Sequence, residues 1–320
     1  MLTKSFGEKY ISSLFMQIGL DIGGYKINSV LMTGKRIIKK RKILIKSMSN
    51  RKIMIAQIFD CIDFLINGVN KEQIKGIGIG VAGPIDLKKG IVLNPPNLKA
   101  LENFPLTDAV WKRFKIKTII NNDVNCLGIA EGILGAGKNK ENIVGLTLGT
   151  GVGGCLILKR KLFCGASGSA GEIGHMIIKK DGRKCNCGNK GCLETYVSTK
   201  GIIKTAREVG LRGRTPEQIV KMAKRGNKKA IKVFQITGEY LGIGLSNVVN
   251  ILNPNLIIVG GGIANAGKFI FDSAKKSMKK NILSPLAKNT KIVKAKLGED
   301  AGAIGAALLS YPQVSIDKCF

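Results

Sequence analysis

Hydrophobic residues in this chain form short apolar runs that alternate with segments in which apolar residues recur every three or four positions. In segment 54–66 that helical spacing predicts an amphipathic helix. Apolar runs bounded by glycine or polar residues predict strands at 17–21, 27–32, 37–45, 74–81, 117–120, 143–148, 155–158, 256–259 and 291–296. Further helices are predicted at 124–134, 199–209, 216–224, 228–252, 269–280 and 301–310. Strands and helices therefore alternate along the chain, which is typical of an α/β protein.

The second half of the chain repeats the opening of the first half. A strand, a glycine-rich turn and a return strand span 17–32, and the same order returns at 143–158. We therefore expect two α/β domains, residues 16–121 and 122–310, with residues 1–15 as an extension and 311–320 as a tail. The length of 320 residues agrees with two domains of about 150 residues each.

The net charge of +31, from 52 basic and 21 acidic residues, changes this picture only slightly. Such an excess suits a nucleic acid, an anionic membrane surface or a phosphate-rich substrate. Aromatic residues make up only 5% of the chain, however, and Lys is far more frequent than Arg. Nucleic-acid readers rely on Arg and on stacking aromatics. We therefore attribute the charge mainly to a compositional preference for Lys, Ile and Asn, and expect no specific nucleic-acid binding.

Membrane and export signals are weak. No apolar run approaches the roughly 20 residues of a spanning helix, and Lys4, Glu8 and Lys9 interrupt the first 15 residues. We therefore expect no membrane association and a location in the reducing cytosol. In that compartment the eight cysteines need an explanation other than disulfides.

Three glycine clusters follow predicted strands and form candidate nucleotide sites. Glycines at a turn let backbone N–H groups approach an anion, a nearby Lys adds charge, and an Asp could hold magnesium through water. One Gly-Gly pair is usually only a turn, but two hairpins that open two α/β halves favour a phosphate site. None of the clusters fits a Walker loop or a dinucleotide fingerprint. The candidates are Asp21, Gly23, Gly24 and Lys26 in the first hairpin, Gly149, Thr150, Gly151 and Gly153 in the second, and Gly260, Gly261 and Gly262 for the adenosine end.

Asn122 and Asp123 follow a predicted buried strand and open a predicted helix. By themselves they fit a helix N-cap, a position that Asn and Asp fill readily. A carboxylate at the end of a strand could also accept a proton from a sugar hydroxyl. In that case we expect the positive end of the helix to keep it ionised at neutral pH.

A group of four soft ligands is the strongest local signal. His175, the only histidine, precedes Cys185, Cys187 and Cys192, all within eighteen residues. This spacing in a reducing compartment predicts a closed, tetrahedral and therefore structural zinc site. The other cysteines have no such spacing and are expected to be small buried hydrophobic residues: Cys61, Cys126, Cys155, Cys164 and Cys319.

These motifs resemble the ROK family of sugar kinases and repressors, and bacterial-type glucokinases in particular. The resemblance covers about residues 16–310 and is carried by the stretches 21–26, 122–123, 149–154, 172–175 and 185–194. It implies an actin-like, hexokinase-type fold with two α/β domains around a cleft. It also implies ATP, Mg²⁺ and structural Zn²⁺, a hexose or N-acetylhexosamine as the substrate, and a homodimer.

The resemblance further implies roles for single residues. Asp123 would be the catalytic base toward the primary hydroxyl of the sugar. Other sugar hydroxyls would contact Asn122, Glu172, Glu194 and His175, and His175 would also ligate zinc. Gly83 and Asn97 resemble additional sugar-side positions.

Two positions depart from the family pattern and keep alternatives open. Tyr25 stands where the family usually has Thr, and Cys155 stands where a third glycine often follows. A sugar-binding relative that has lost catalysis is therefore one alternative to an ATP-dependent kinase, most simply of glucose. A repressor is another, although about 15 residues before the first hairpin are too few for a helix-turn-helix. The choice of hexose, and of ATP, ADP or polyphosphate as donor, stays open.

Overall fold

The structure, a computed structural model, describes residues 15–311. The helices within this range are α1 (Arg51–Ile66), α2 (Leu106–Phe114), α3 (Asp123–Ile133), α4 (Glu194–Val197), α5 (Thr199–Glu208), α6 (Pro216–Lys224), α7 (Lys228–Leu252), α8 (Lys268–Asn281) and α9 (Ala301–Leu309). The strands are β1 (Met16–Ile22), β2 (Lys26–Thr33), β3 (Arg36–Leu44), β4 (Ile74–Val81), β5 (Ile85–Asp86), β6 (Ile91–Val92), β7 (Phe104–Pro105), β8 (Thr118–Asn122), β9 (Ile143–Leu148), β10 (Val152–Leu158), β11 (Lys161–Phe163), β12 (Leu256–Gly260) and β13 (Lys291–Lys294). No helix in residues 15–311 is both long and apolar enough to span a membrane.

The predicted helices and strands are confirmed to within a few residues, but short elements were missed and one strand starts earlier than expected. The missed elements are α2, α4, β5, β6, β7 and β11. Strand β10 begins at Val152 rather than at 155, so Gly153 and Gly154 lie in a strand and not in a turn. A Cβ on Gly154 would collide with the backbone oxygen of Gly171. The second glycine run therefore serves close backbone packing as well as the turn.

The chain forms two compact units. The first contains residues 15–141, 155–170 and 296–311, and the second contains 142–154 and 171–295. These limits differ from those of the expected domains, 16–121 and 122–310. Helix α3 belongs to the first unit because α9 packs on it so closely that a Cβ on Gly305 would collide with the Cys126 carbonyl.

The first unit is built on a five-stranded sheet of order β3-β2-β1-β4-β8, with α1 and α2 on one face and α3 and α9 on the other. Alternate residues of β2 show the two faces, since Ile27 and Leu31 pack with α1 whereas Val30 and Met32 pack with α3 and α9. A β-strand points successive side chains to opposite faces, so β2 is buried on both faces of the sheet. A second, small sheet has the order β5-β6-β7.

Helix α9 lies directly on the first sheet because glycines replace side chains there. A Cβ on Gly19 of β1 would collide with the Ala303 carbonyl, and one on Gly78 of β4 would collide with the Ala306 carbonyl. The glycine excess in the sequence thus has a packing role in this unit.

The second unit contains the parallel strands β9, β12 and β13, in which β12 pairs with both of the others. Its longest helix, α7, packs against α8, where a Cβ on Gly242 would lie 2.5 Å from the Ala274 carbonyl oxygen. Strand β10 starts in this unit and ends in the first, where it pairs with β11 as an antiparallel hairpin.

Candidate active site

The carboxyl ends of three parallel strands in the first unit bring two predicted site carboxylates together. The register pairs Asp21 with Gly80, and Val81 with Asn122, while Asp123 opens α3 directly after β8. Strands β1, β4 and β8 are parallel, so their carboxyl ends share one edge of the sheet, where α/β proteins bind ligands. We call Asp21, Asn122 and Asp123, which lie at this edge, the carboxylate edge. It joins the predicted magnesium ligand and the predicted base.

Asn122 is the N-cap of α3, as its position after a strand suggested. Its Oδ1 accepts a hydrogen bond from the Val124 N–H at 2.9 Å, and its Nδ2 donates to the carbonyl oxygen of Gly83 at 3.3 Å. Asp123 Oδ1 also accepts from the Val124 N–H, at 3.0 Å. The capping interaction and the proximity of Gly83 therefore hold two predicted sugar-side residues beside the predicted base.

Burial controls the electrostatics of this edge more than the helix end does. It raises the pKa of Asp123 to about 6, while the Val124 N–H lowers it by a smaller amount. Asp123 therefore remains mostly ionised at pH 7, as expected, but with less margin than a capped surface Asp. Burial, followed by the charge of Asp123, raises the pKa of Asp21 to about 7, and Lys26 opposes this. Two neighbouring carboxylates of this kind suit a divalent cation.

The amino end of α9 closes over the carboxylate edge. A Cβ on Gly302, in the first turn of α9, would lie 2.6 Å from Asp21 Oδ2. Sequence reasoning did not single out Gly302. The sequence feature that could have indicated Gly302 is the regular spacing of small residues along α9, which is typical of a helix packed directly on the backbone of a neighbouring element.

The first glycine turn has the expected hairpin geometry. The Gly23 N–H donates to the Lys26 carbonyl at 3.1 Å, and a Cβ on Gly24 would lie 3.8 Å from the Cβ of Asn97. Asn97 is exposed and lies beside this turn.

Lys26 in this turn is already engaged by an acidic residue. Its Nζ lies 2.9 Å from Glu299 Oε2, and also 5.6 Å from the centroid of the Tyr25 ring. Tyr25 is 59% exposed, so its phenol lies largely in solvent rather than packed inside the turn. Sequence reasoning missed Glu299 because it lies 273 residues from Lys26.

In the second unit, the four predicted zinc ligands converge. Their ligand atoms all lie within 4.8 Å of one another. The sulfurs of Cys187 and Cys192 are 3.7 Å apart, and His175 Nδ1 is 3.8 Å from the sulfur of Cys185. Tetrahedral zinc with Zn–S distances of about 2.3 Å separates its ligand atoms by roughly 3.8 Å. The arrangement therefore fits a structural zinc ion.

The thiols of this cluster differ in their ease of ionisation. A hydrogen bond from the Asn189 N–H lowers the pKa of Cys187 to about 7, whereas burial raises the pKa of Cys192 to about 12. Because a thiolate is the form that binds metal, Cys187 is the ligand best prepared for it.

His175 presents one ring nitrogen to the thiols and the other to a carboxylate. Nδ1 faces Cys185, while Nε2 lies 3.9 Å from Glu172 Oε2. The Glu172 side chain is 71% exposed. A metal on Nδ1 would orient the ring and leave Nε2 and Glu172 facing a ligand, which makes the two expected roles of His175 compatible.

Residues 175–192, which carry the four predicted zinc ligands, are called the metal loop. Glu194 links this loop to the second glycine turn. It begins α4, two residues after Cys192, and its Oε2 accepts a hydrogen bond from the Val152 N–H at 2.8 Å. A Cβ on Gly151 would lie 2.6 Å from that oxygen, so a side chain there would displace the carboxylate. The predicted sugar ligand therefore contacts the predicted phosphate turn.

The second turn and the third glycine cluster share one edge of the second unit. Strands β9 and β12 are parallel, with Gly260 opposite Thr147. The turn Gly149–Gly151, closed by a 3.0 Å hydrogen bond, follows β9, and Gly261, with φ of 85°, follows β12. Thr150 is exposed at the turn, and Gly262 starts a 3-10 turn. The predicted phosphate and adenosine residues of this unit are therefore neighbours.

Arg183 anchors the metal loop and was not predicted. Its guanidinium donates to the carbonyls of Thr195 and Gly201, to Thr205 Oγ1 and to Glu208 Oε2 at 2.7–3.1 Å. The guanidinium also lies 4.7 Å from the centroid of the Tyr196 ring. The only sequence signal was one Arg between the histidine and the first cysteine. Its contacts tie the loop to α4 and α5.

The chain is similar to sugar kinases and to repressors. The model of the ROK family matches residues 17–312. A glucokinase from Halalkalibacterium halodurans is 32% identical, over 94% of this chain and 97% of the relative. The xylose repressor of Bacillus subtilis is 30% identical, over 90% of this chain and 75% of the relative. The crystal structure of a ROK family glucokinase from Streptomyces griseus in complex with glucose and AMPPNP aligns with a TM-score of 0.79 and 29% identity, covering 92% of this chain and 98% of that one.

Proposed function

The chain belongs to the ROK family, and from this premise we propose that it is an ATP-dependent hexokinase with the actin-like fold, acting most readily on glucose. The observation that carries the proposal is the carboxylate edge, where Asp123 follows a buried strand and has a pKa of about 6. A base with a pKa somewhat below the working pH is ionised and still accepts a proton in the transition state.

In this reaction the primary hydroxyl oxygen of the sugar attacks the γ-phosphorus of ATP. Asp123 accepts the hydroxyl proton, the bond from the γ-phosphorus to the β-γ bridging oxygen breaks, and ADP leaves with that electron pair. The transition state is loose, so catalysis depends chiefly on positioning and on neutralising charge. Hydroxyls of the sugar are assigned to Asn122, Glu172, His175 and Glu194, with Gly83 and Asn97 as further contacts.

The glycine clusters are assigned to the nucleotide. The phosphates would be bound by the two turns, by Lys26 and by Thr150, and the adenosine by residues 260–262. Asp21 is the candidate for holding Mg²⁺, which would neutralise charge on the phosphates. The residues His175, Cys185, Cys187 and Cys192 would hold a structural zinc ion that orders the loop carrying the sugar ligands.

An assay of ADP release with magnesium, ATP and a panel of hexoses and N-acetylhexosamines tests this function. We expect sugar-dependent ADP release that is greatest with glucose, and preference for an N-acetylated sugar would identify an N-acetylhexosamine kinase instead. Polyphosphate and ADP as alternative donors belong in the same panel. ADP release that is independent of every sugar would contradict the proposal.

A second candidate is a non-catalytic sugar sensor. It is favoured by Tyr25, which departs from the family's threonine, and by the similarity to a repressor. Calorimetry that detects sugar binding but no ATP binding would support the sensor. A gel shift with genomic fragments that persists at high salt would support a DNA-binding regulator, because non-specific electrostatic binding weakens as salt rises.

A further inference from the structure

Glu299 holds the lysine of the first glycine turn through an oxygen that it shares with a second lysine. Its Oε2 lies 2.9 Å from Lys26 Nζ and 2.7 Å from Lys42 Nζ. The Glu299 side chain is 66% exposed, whereas that of Lys26 is only 16% exposed. The hydrogen bonds from Lys42 and then Lys26 hold the pKa of Glu299 at about 2, so the carboxylate stays charged at any working pH.

The backbone fixes Glu299 next to the hairpin strand. Glu299 lies in the 3-10 turn Gly298–Asp300, directly before α9. Its carbonyl oxygen accepts a hydrogen bond from Asn28 Nδ2 on β2 at 3.1 Å. The carboxylate is therefore held at the start of β2, within reach of Lys26, by contacts that do not involve its side chain.

We propose that Glu299 is a positioning residue that pairs with Lys26 in the nucleotide-free protein. The phosphate groups of the phosphoryl donor replace Glu299 as the partner of Lys26 when they bind. This inference rests on the proposed role of Lys26 in phosphate binding. A carboxylate and a phosphate oxygen compete for the same ammonium group. The exchange is inexpensive because Lys42 remains on Glu299, so that no charge is left without a partner when Lys26 moves.

The 3-10 turn that contains Glu299 also contains Asp300, whose ion pair does not involve the first glycine turn. Asp300 Oδ2 lies 3.1 Å from Lys40 Nζ, an ion pair of the same kind between the same turn and strand β3. If the acidic residues only held α9 on the sheet, neutralising either one would have the same effect. If Glu299 competes for Lys26, only its own neutralisation changes nucleotide affinity.

The test compares E299Q, D300N, K42Q and the double variant K42Q/E299Q at low salt. The readouts are KM for ATP, kcat, melting temperature and the Kd of a fluorescent ATP analogue without sugar.

For E299Q we expect KM and Kd to fall about three- to tenfold, with little change in kcat, because Lys26 loses its competing carboxylate. K42Q should raise both about two- to fivefold, since Glu299 then retains Lys26, and this effect should vanish in the double variant. D300N should leave KM and Kd unchanged.

An unchanged or higher Kd for E299Q, or a K42Q effect that persists in the double variant, would overturn the inference. Equal changes for E299Q and D300N would do so as well, since they indicate a purely structural role. The Kd measurement needs no turnover. A protein without sugar-dependent ADP release would therefore refute the proposed kinase while the exchange at Glu299 could still be measured.

Discussion

The metal loop of the second unit and the carboxylate edge of the first unit are assembled in opposite ways. The four predicted metal ligands of the loop lie within residues 175–192, and their side chains converge locally. The edge combines Asp21 on β1 with Asp123 after β8, and Gly302 of α9 closes over it, so that parts far apart in sequence meet. A site made within one loop can be predicted from spacing, whereas a site made by strand register needs the sheet.

The two regions also differ in what stabilises them. The edge stands on a sheet with a buried core on both faces. Residues 176–193 contain no helix and only isolated bridges, and their described contacts come from the clustered Cys and His side chains and from Arg183. We therefore expect substitutions at the edge to affect catalysis and substitutions in the loop to affect order and sugar affinity.

Asp123→Asn should have the largest effect. Loss of the base should lower kcat about 10²- to 10⁴-fold while the Kd for sugar, measured by calorimetry, changes little. Because burial raises the pKa of Asp123, the ionised carboxylate destabilises the folded state above about pH 6, and the variant should melt at a higher temperature at pH 8 but not at pH 4. Asp272→Asn, at an exposed position on α8, is the control. A kcat within tenfold of the parent protein would remove Asp123 as the base.

Cys187→Ser should affect the metal loop and leave the carboxylate edge unchanged. We expect bound zinc, measured by elemental analysis, to fall from about one ion per chain to nearly none, and KM for sugar to rise about tenfold or more. Cys187 is exposed, so the substitution itself disturbs little packing.

Cys61→Ala is the control for this experiment, because Cys61 is buried in the core of the first unit. It should lower the melting temperature and keep the zinc. Full zinc content in the Cys187 variant would show that the four residues do not form the metal site.

The pH dependence of kcat/KM should reflect protonation at the carboxylate edge rather than changes in the metal loop. With the pKa of Asp123 at about 6 and that of Asp21 at about 7, kcat/KM should fall at least about tenfold from pH 7 to pH 5. A protonated Asp123 cannot accept a proton, and a protonated Asp21 is a poor magnesium ligand. Zinc content measured in parallel over the same range separates loss of the base from loss of the metal. A flat profile down to pH 5 would contradict the raised pKa.

Tyr25→Thr should have the smallest effect. The ring is largely exposed and contacts the Lys26 ammonium only at 5.6 Å from its centroid, so KM for ATP should change by no more than about threefold. A large gain in ATP affinity or in kcat would instead mean that Tyr25 obstructs the nucleotide and would favour the sensor.

The sequence alone predicted the α/β architecture, the two glycine hairpins and the grouping of one His and three Cys side chains. Each rests on a local signal, namely apolar periodicity, glycine after a strand, or close spacing of Cys and His. The limits of the two units were not predictable in this way, because α9 returns from the end of the chain to pack on β1, β4 and α3.

Only the tertiary structure decided which distant residues meet. Parallel register aligns Asp21 with Gly80 and Val81 with Asn122, and the return of α9 brings Glu299 to Lys26. The burial that raises the pKa of Asp123 also comes from packing. The type of a side chain and its neighbours along the chain can be read from the sequence. Its solvation and its distant partners depend on how the sheet and helices enclose it.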